Sequence, residues 1–140
     1  MPYPHEYMVA TEKFADFLGD VKEEAGFGSR HMAYTMAQGV FQVFRRRIDQ
    51  RSAIRFASVL PVGMRALFVD DWDTEEEQLP FADLAVMNEE VRNLRPLHNF
   101  ATPTAIQQVA AAVKKHVDHE KIREALEDIS NEALAFWQMT

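Results

Sequence analysis

Residues 33–68 read AYTMAQGVFQVFRRRIDQRSAIRFASVLPVGMRALF, and their spacing decides the fold. Ala33, Met36, Ala37, Val40, Phe44 and Ile48 recur at the three-to-four-residue period that gathers apolar side chains on one face of a helix. Ser29 stands just ahead, where its hydroxyl can accept a first-turn amide. A second helix is predicted over residues 50–60, with Ile54, Ala57 and Leu60 inward. Asp49 precedes it, placed to accept backbone N–H groups at the positive end of that helix. Pro61 has no N–H to continue the ladder but suits the start of a third, short helix carrying Met64, Leu67 and Phe68.

A shift of 69 positions lays this stretch on residues 102–137 without gaps. Thr35, Gln38, Val40, Asp49 and Ala66 meet Thr104, Gln107, Val109, Asp118 and Ala135; Arg45-Arg46 meets Lys114-Lys115, and Phe68 meets Trp137. Phe14-Ala15-Asp16-Phe17 likewise meets Phe81-Ala82-Asp83-Leu84 at a shift of 67. The order of helices and caps matches along with the residues, the mark of an internal repeat.

The remaining segments follow the same helical period. Thr11 can cap a helix with Phe14, Phe17, Leu18, Val21 and Ala25 on one stripe, ended by Gly26 and Gly28. Pro80 opens a helix with Phe81, Leu84, Ala85, Asn88 and Val91 on one side, and residues 93–101 form a loop containing Pro96. Thr102-Pro103 is a start signal for a helix carrying Ile106, Val109, Ala110, Val113 and Val117. Ile122, Leu126, Ile129, Ala133, Phe136 and Trp137 follow, on one helix or two. Nothing reads as a strand. The expectation is an all-α, compact bundle of six to eight helices in a single domain over residues 1–140. It comprises repeat one at about 9–69, an acidic connector at 70–79 and repeat two at about 80–138.

Composition bounds the chemistry. The chain has 140 residues, 47% hydrophobic and 26% charged, as in soluble globular proteins. It has no Cys, which excludes disulfides, thiol catalysis and Cys-ligated metal centres. A net charge of −7 makes nucleic acid an improbable partner for the whole surface. No apolar run approaches the roughly 18 residues of a membrane span. The first residues have neither the basic start nor the apolar core of a secretory signal, so a cytoplasmic location is expected.

Phe17-Leu18-Gly19-Asp20-Val21, the basic end Phe44-Arg45-Arg46-Arg47-Ile48, and Leu60-Pro61-Val62-Gly63-Met64-Arg65-Ala66-Leu67-Phe68 with Trp72 nearby resemble the bacterial family called domain of unknown function 2267. The resemblance covers most of the chain. It implies a small all-helical bacterial protein built as a duplicated unit and supplies no catalytic residues. In the second half Ser130 stands where Pro61 stands in the first, so the Leu-Pro step is lost.

Two clusters carry possible chemistry. Residues 41–66 hold Arg45, Arg46, Arg47, Arg51, Arg55 and Arg65 against Asp49 alone. Guanidinium forks bind carboxylate and phosphate, so Arg45, Arg46, Arg51 and Arg55 are candidates for an anion or partner surface. The plainer reading is a solvated face partly neutralised by the chain's own acids at 70–77. His116, His119 and Glu120 would share a face on a continuous helix and are the candidate metal ligands, but a cap at Asp118 would break that helix. No Gly-x-Ser-x-Gly or phosphate-loop pattern occurs. The charge divides as +2 over residues 1–69 and −9 beyond. These features favour a non-catalytic interaction or self-association module with a homo-oligomeric or acidic protein partner and no cofactor. The alternatives are a binder of a small anionic or apolar ligand between the repeats, using Arg45 or Arg46, and a metal-dependent enzyme at His116 and His119.

Overall fold

A computed structural model describes residues 3–95 and 100–140. Among these residues the chain forms nine helices and no strand: α1 (His5–Met8), α2 (Ala10–Ala25), α3 (Arg30–Arg45), α4 (Gln50–Ser58), α5 (Val62–Val69), α6 (Leu84–Asn93), α7 (Ala105–Lys114), α8 (His119–Ile129) and α9 (Asn131–Phe136). The expected six to eight becomes nine because a four-residue α1 precedes the first predicted helix, and because the last stretch is two helices. Ser130 separates them: extended at φ −177°, it takes the N-cap of α9 and accepts the Ala133 amide at 3.0 Å. A hydroxyl cap thus turns the chain where proline turns it in the first half.

Capping chemistry sets most of the breaks. Ser29 accepts the Met32 amide at 3.3 Å, and Gly26 ends α2 at φ +69°, where a Cβ would be strained. Asp49 caps α4 through Ser52 N–H at 2.7 Å. Asp118 caps α8 through the Glu120 and Lys121 amides at 3.1 and 3.2 Å. Both aspartates therefore stand where the sequence puts them. The Ser52 amide, then its hydroxyl, with help from Arg51, hold the Asp49 carboxyl below its ordinary pKa. A depressed folded-state pKa means that this stabilisation is complete above the ordinary carboxylate range and is lost as pH falls through the folded value. Asp49→Ala is expected to cost about 0.5–2 kcal/mol near neutral pH. In thermal melts from about pH 6 down to about pH 3, the gap between wild type and variant should close.

Other boundaries moved. Thr11 lies inside α2, whose N-cap is Val9 and carries no side-chain bond. Helix α6 starts at Leu84, not at Pro80; residues 79–83 are outside any helix, and Phe81 among them packs against the core. Its buried positions are Met87, Asn88 and Val91, while Ala85 is exposed. Helix α7 starts at Ala105, two residues beyond the Thr102-Pro103 signal, and its first turn is capped from another helix: buried Asn88 accepts the Ile106 amide at 2.8 Å. On α4, Ile54 is exposed and the inward face is Ala53, Phe56 and Ala57. Pro96 and His98, in the predicted 93–101 loop, lie outside the described residues.

Helix α3 packs on α2, α5, α6 and α7, and its sides are buried nearly all round, which makes it the central helix. Helix α2 packs in addition on α5 and α7, and α8 packs on α4 and α9. The middle of the core is aromatic. Phe44 stands 4.9 Å from Phe56 and 5.0 Å from Phe136, and Trp137 stacks on Phe56 at 5.5 Å. Phe44, Ile48, Leu60, Leu67, Val109, Val113, Leu126 and Phe136, expected inside from their stripes, are all buried. Helix α5 lies close against α2, because Gly63 has no side chain: a Cβ there would stand 2.7 Å from that of Phe14.

Candidate functional site

The arginines at the end of α3 do not form an open face. Arg45 is buried, and its guanidinium donates to the carbonyls of Phe68 at 2.8 Å, Asp70 at 3.0 Å and Asp71 at 3.5 Å. Its carbon Cζ lies 5.2 Å from the centre of the Trp72 ring. Burial pushes its pKa down, Glu76 opposes that, Arg46 adds to it, and Asp70 and Asp71 oppose it further. Arg46 donates to Glu76 at 2.8 Å and reaches Glu90 at 3.6 Å. Arg47, also buried, pairs with the same Glu90 and donates to the Val43 carbonyl at 3.1 Å. Arg55 pairs with Asp128 on α8.

Arg45 and Arg46 hold the acidic connector. The Leu79 amide donates to the Arg46 carbonyl at 2.9 Å, and Gln78 donates to the Arg47 carbonyl at 3.3 Å. The segment therefore folds back over the C-terminal end of α3, where orphan carbonyls need donors. Of the four arginines expected to recognise a partner, Arg45 is a structural clamp, and Arg46 and Arg55 are paired within the chain. Arg51 alone is exposed with no side-chain hydrogen bond or ion pair among the described residues. Sequence spacing counted the cations correctly but carried no information on which carbonyls and carboxylates the fold would bring to them.

The histidine cluster is also dispersed. Asp118 breaks the helix, so His116 and Glu120 do not share one. The His116 Nε2 meets Asp20 Oδ2 of α2 at 2.5 Å, with Phe17 edge-on to the ring. The His119 ring turns back to the Lys114 carbonyl at 2.7 Å. Among the described residues no group of three or more His, Asp or Glu is arranged to hold a metal ion.

What the fold does build is a groove of about 380 Å³ between α1 and the start of α2, the Leu60-Pro61 step into α5, and the corner between α7 and α8. Val9, Phe14, Val59, Leu60, Val62 and Val117 give it an apolar lining. Lys13 comes from α2, Arg65 from α5, and His116 and Lys121 from the far corner; Glu6 and Asp118 are its two acids. Arg65 is occupied by the carbonyls of Ala57 at 3.2 Å and Leu60 at 3.0 Å, which end α4. The ammonium groups of Lys13 and Lys121 have no acidic partner among the described residues. The start of α5, beside Pro61, has no side-chain cap. Sequence reasoning singled out the Leu60-Pro61 step and His116 but not Lys13. Nothing in the chain signals that residues 13, 65, 116 and 121 meet.

No helix among the described residues is long and apolar enough to cross a membrane. No curated protein matches the chain. A family model does match it, over residues 14–135, and its description is uncharacterized conserved protein (DUF2267).

Proposed function

The chain belongs to the DUF2267 family, and from that premise we propose that it is a non-catalytic binding module, with its recognition site in the groove between two related halves. The observation that carries this reading is the groove itself. It joins α2 and α5, from the first half of the chain, to the corner at 116–121 from the second. It also gathers the cations Lys13 and Lys121, which pair with no acid among the described residues, whereas the arginines at the end of α3 are mostly spent on the fold. A cavity of this size is at the lower end of the roughly 300–1,000 Å³ range of small-molecule sites.

The duplication belongs to the same proposal, with repeats at about 9–69 and 80–138 around the connector. Asp49 and Asp118 cap equivalent helices. The ends of α3 and α7 each send a basic side chain to a carboxylate on the helix opening the other half: Arg47 to Glu90, and His116 to Asp20. Phe14 and Phe81 line equivalent surface hollows, the first with Gly63, Ala66 and Leu67, the second with Glu132, Ala135 and Phe136.

Native mass spectrometry of the chain purified from its expression host tests the site. A small molecule retained at one per chain, and lost on filling the groove with Val117→Trp, is the expected result. A chain that carries nothing and forms dimers weakened by salt and by Arg51→Glu would favour the second reading, self-association through the arginine-rich end of α3, for which exposed Arg51 is the supporting observation.

A further inference from the structure

We infer that the groove takes a carboxylate carried on a single unbranched apolar chain of medium length. This rests on the groove being the recognition site, and adds the chemistry of what it recognises. Three fixed cations, Lys13, Arg65 and Lys121, face two acids, Glu6 and Asp118, so the lining is net +1 with histidine neutral, in a chain of net charge −7. That balance complements a monoanion; a dianion such as phosphate would meet repulsion from Glu6 and Asp118 with little excess cation to offset it. The one guanidinium fork in the groove, that of Arg65, is committed to the carbonyls of Ala57 and Leu60. Recognition of the head then falls to the point charges of Lys13, from α2, and Lys121, from α8, which line the same groove.

Asp118, the N-cap of α8, is engaged by the Glu120 and Lys121 amides and forms no ion pair with the Lys121 ammonium. The first turn of α5 adds uncapped backbone donors at the same place. The rest of the lining is aliphatic and aromatic, from Val9, Phe14, Val59, Val62 and Val117. Such a lining favours the body of the ligand through loss of water from apolar surface rather than through hydrogen bonds. A volume of about 380 Å³ suits a single chain of medium length, not a bulky ring system or a folded peptide.

The test titrates the 15N-labelled full chain with decanoate, with decan-1-ol and with inorganic phosphate, following the amides of Val62, Gly63, Met64 and Lys121. Decanoate is expected to shift these amides saturably at one per chain, and to bind at least about tenfold more tightly than the alcohol or phosphate. Lys13→Glu with Lys121→Glu should erase that preference while leaving the melting temperature near that of wild type, since both ammonium groups are exposed. Should the double variant fail to fold, Val117→Trp, which blocks the apolar floor, is expected to abolish the decanoate shifts instead. Equal binding of decanol, or unchanged decanoate binding in the folded variants, overturns the assignment of a carboxylate but leaves the groove as a binding site. If none of the three probes shifts the groove amides and native mass spectrometry finds nothing retained, both the ligand class and the groove reading fail.

Discussion

Trp137→Ala is expected to lower stability by about 3–5 kcal/mol, the range for removing a large aromatic from a packed core. Trp137 is fully buried at the point where the two ends of the chain's aromatic series meet. It stacks on Phe56, stands edge-on to Phe44 at 5.3 Å, and lies 5.7 Å from Phe41 and 5.2 Å from Phe136. Alanine would leave a void bounded by rings held on α3, α4 and α9, and rings cannot collapse into it as flexible aliphatic chains could. The indole N–H has no hydrogen-bond partner among the described residues, so part of what tryptophan contributes by packing is offset by a buried donor. Trp137→Phe, which removes that donor along with some volume, should therefore cost less than about half of the alanine change. Urea denaturation followed by circular dichroism reads both. A loss below about 1 kcal/mol for the alanine variant would show that the ring is not packed as described.

Arg45→Ala is expected to cost about 2–4 kcal/mol, an unusually large value for an arginine. The guanidinium serves three backbone carbonyls at the end of α5 and the start of the connector, and lies over Trp72. Removing it leaves the buried Phe68 carbonyl without that donor and frees the connector where it leaves α5. Arg45→Lys should recover only part of the loss, because an ammonium cannot reproduce the planar fork that spans adjacent carbonyls. Chemical denaturation with urea, which adds no ionic strength, measures both variants. If Arg45 were a recognition residue on an open face, alanine would leave stability within about 0.5 kcal/mol of wild type, and only binding would change.

The contrast between these two residues shows how far spacing alone carries. Trp137 falls on an apolar stripe, and its burial was legible. Arg45 falls among consecutive arginines, and its burial was not. Three arginines in a row on a helix end must point in different directions, about 100° apart, and the sequence does not say which direction holds the connector. The α4 helix shows the same limit on a smaller scale. Ile54, Ala57 and Leu60 fit one helical stripe and Ala53, Phe56 and Ala57 fit another, and only the neighbours on α5 and α8 choose between them. Pro80 was read as a helix start because proline suits a first turn. The helix instead starts at Leu84, and Phe81 lies outside it, packed beside Phe44 at 6.2 Å. A local preference of that kind is overridden when non-helical backbone delivers an aromatic to the core.

Local chemistry was enough for the all-helical class, the caps at Ser29, Asp49 and Asp118, the left-handed stop at Gly26 and most of the core list. Each depends on atoms within about one helical turn, or on a period repeated over several. The groove, the fate of the arginines and the dispersal of His116 and His119 were decided by packing. They depend on which helix ends are brought together across some fifty to one hundred residues, on Gly63 letting α5 approach Phe14, and on the connector folding back over α3. A side chain's charge is written in the sequence; whether that charge faces water, a carbonyl or a ligand is settled only when distant segments compete for it.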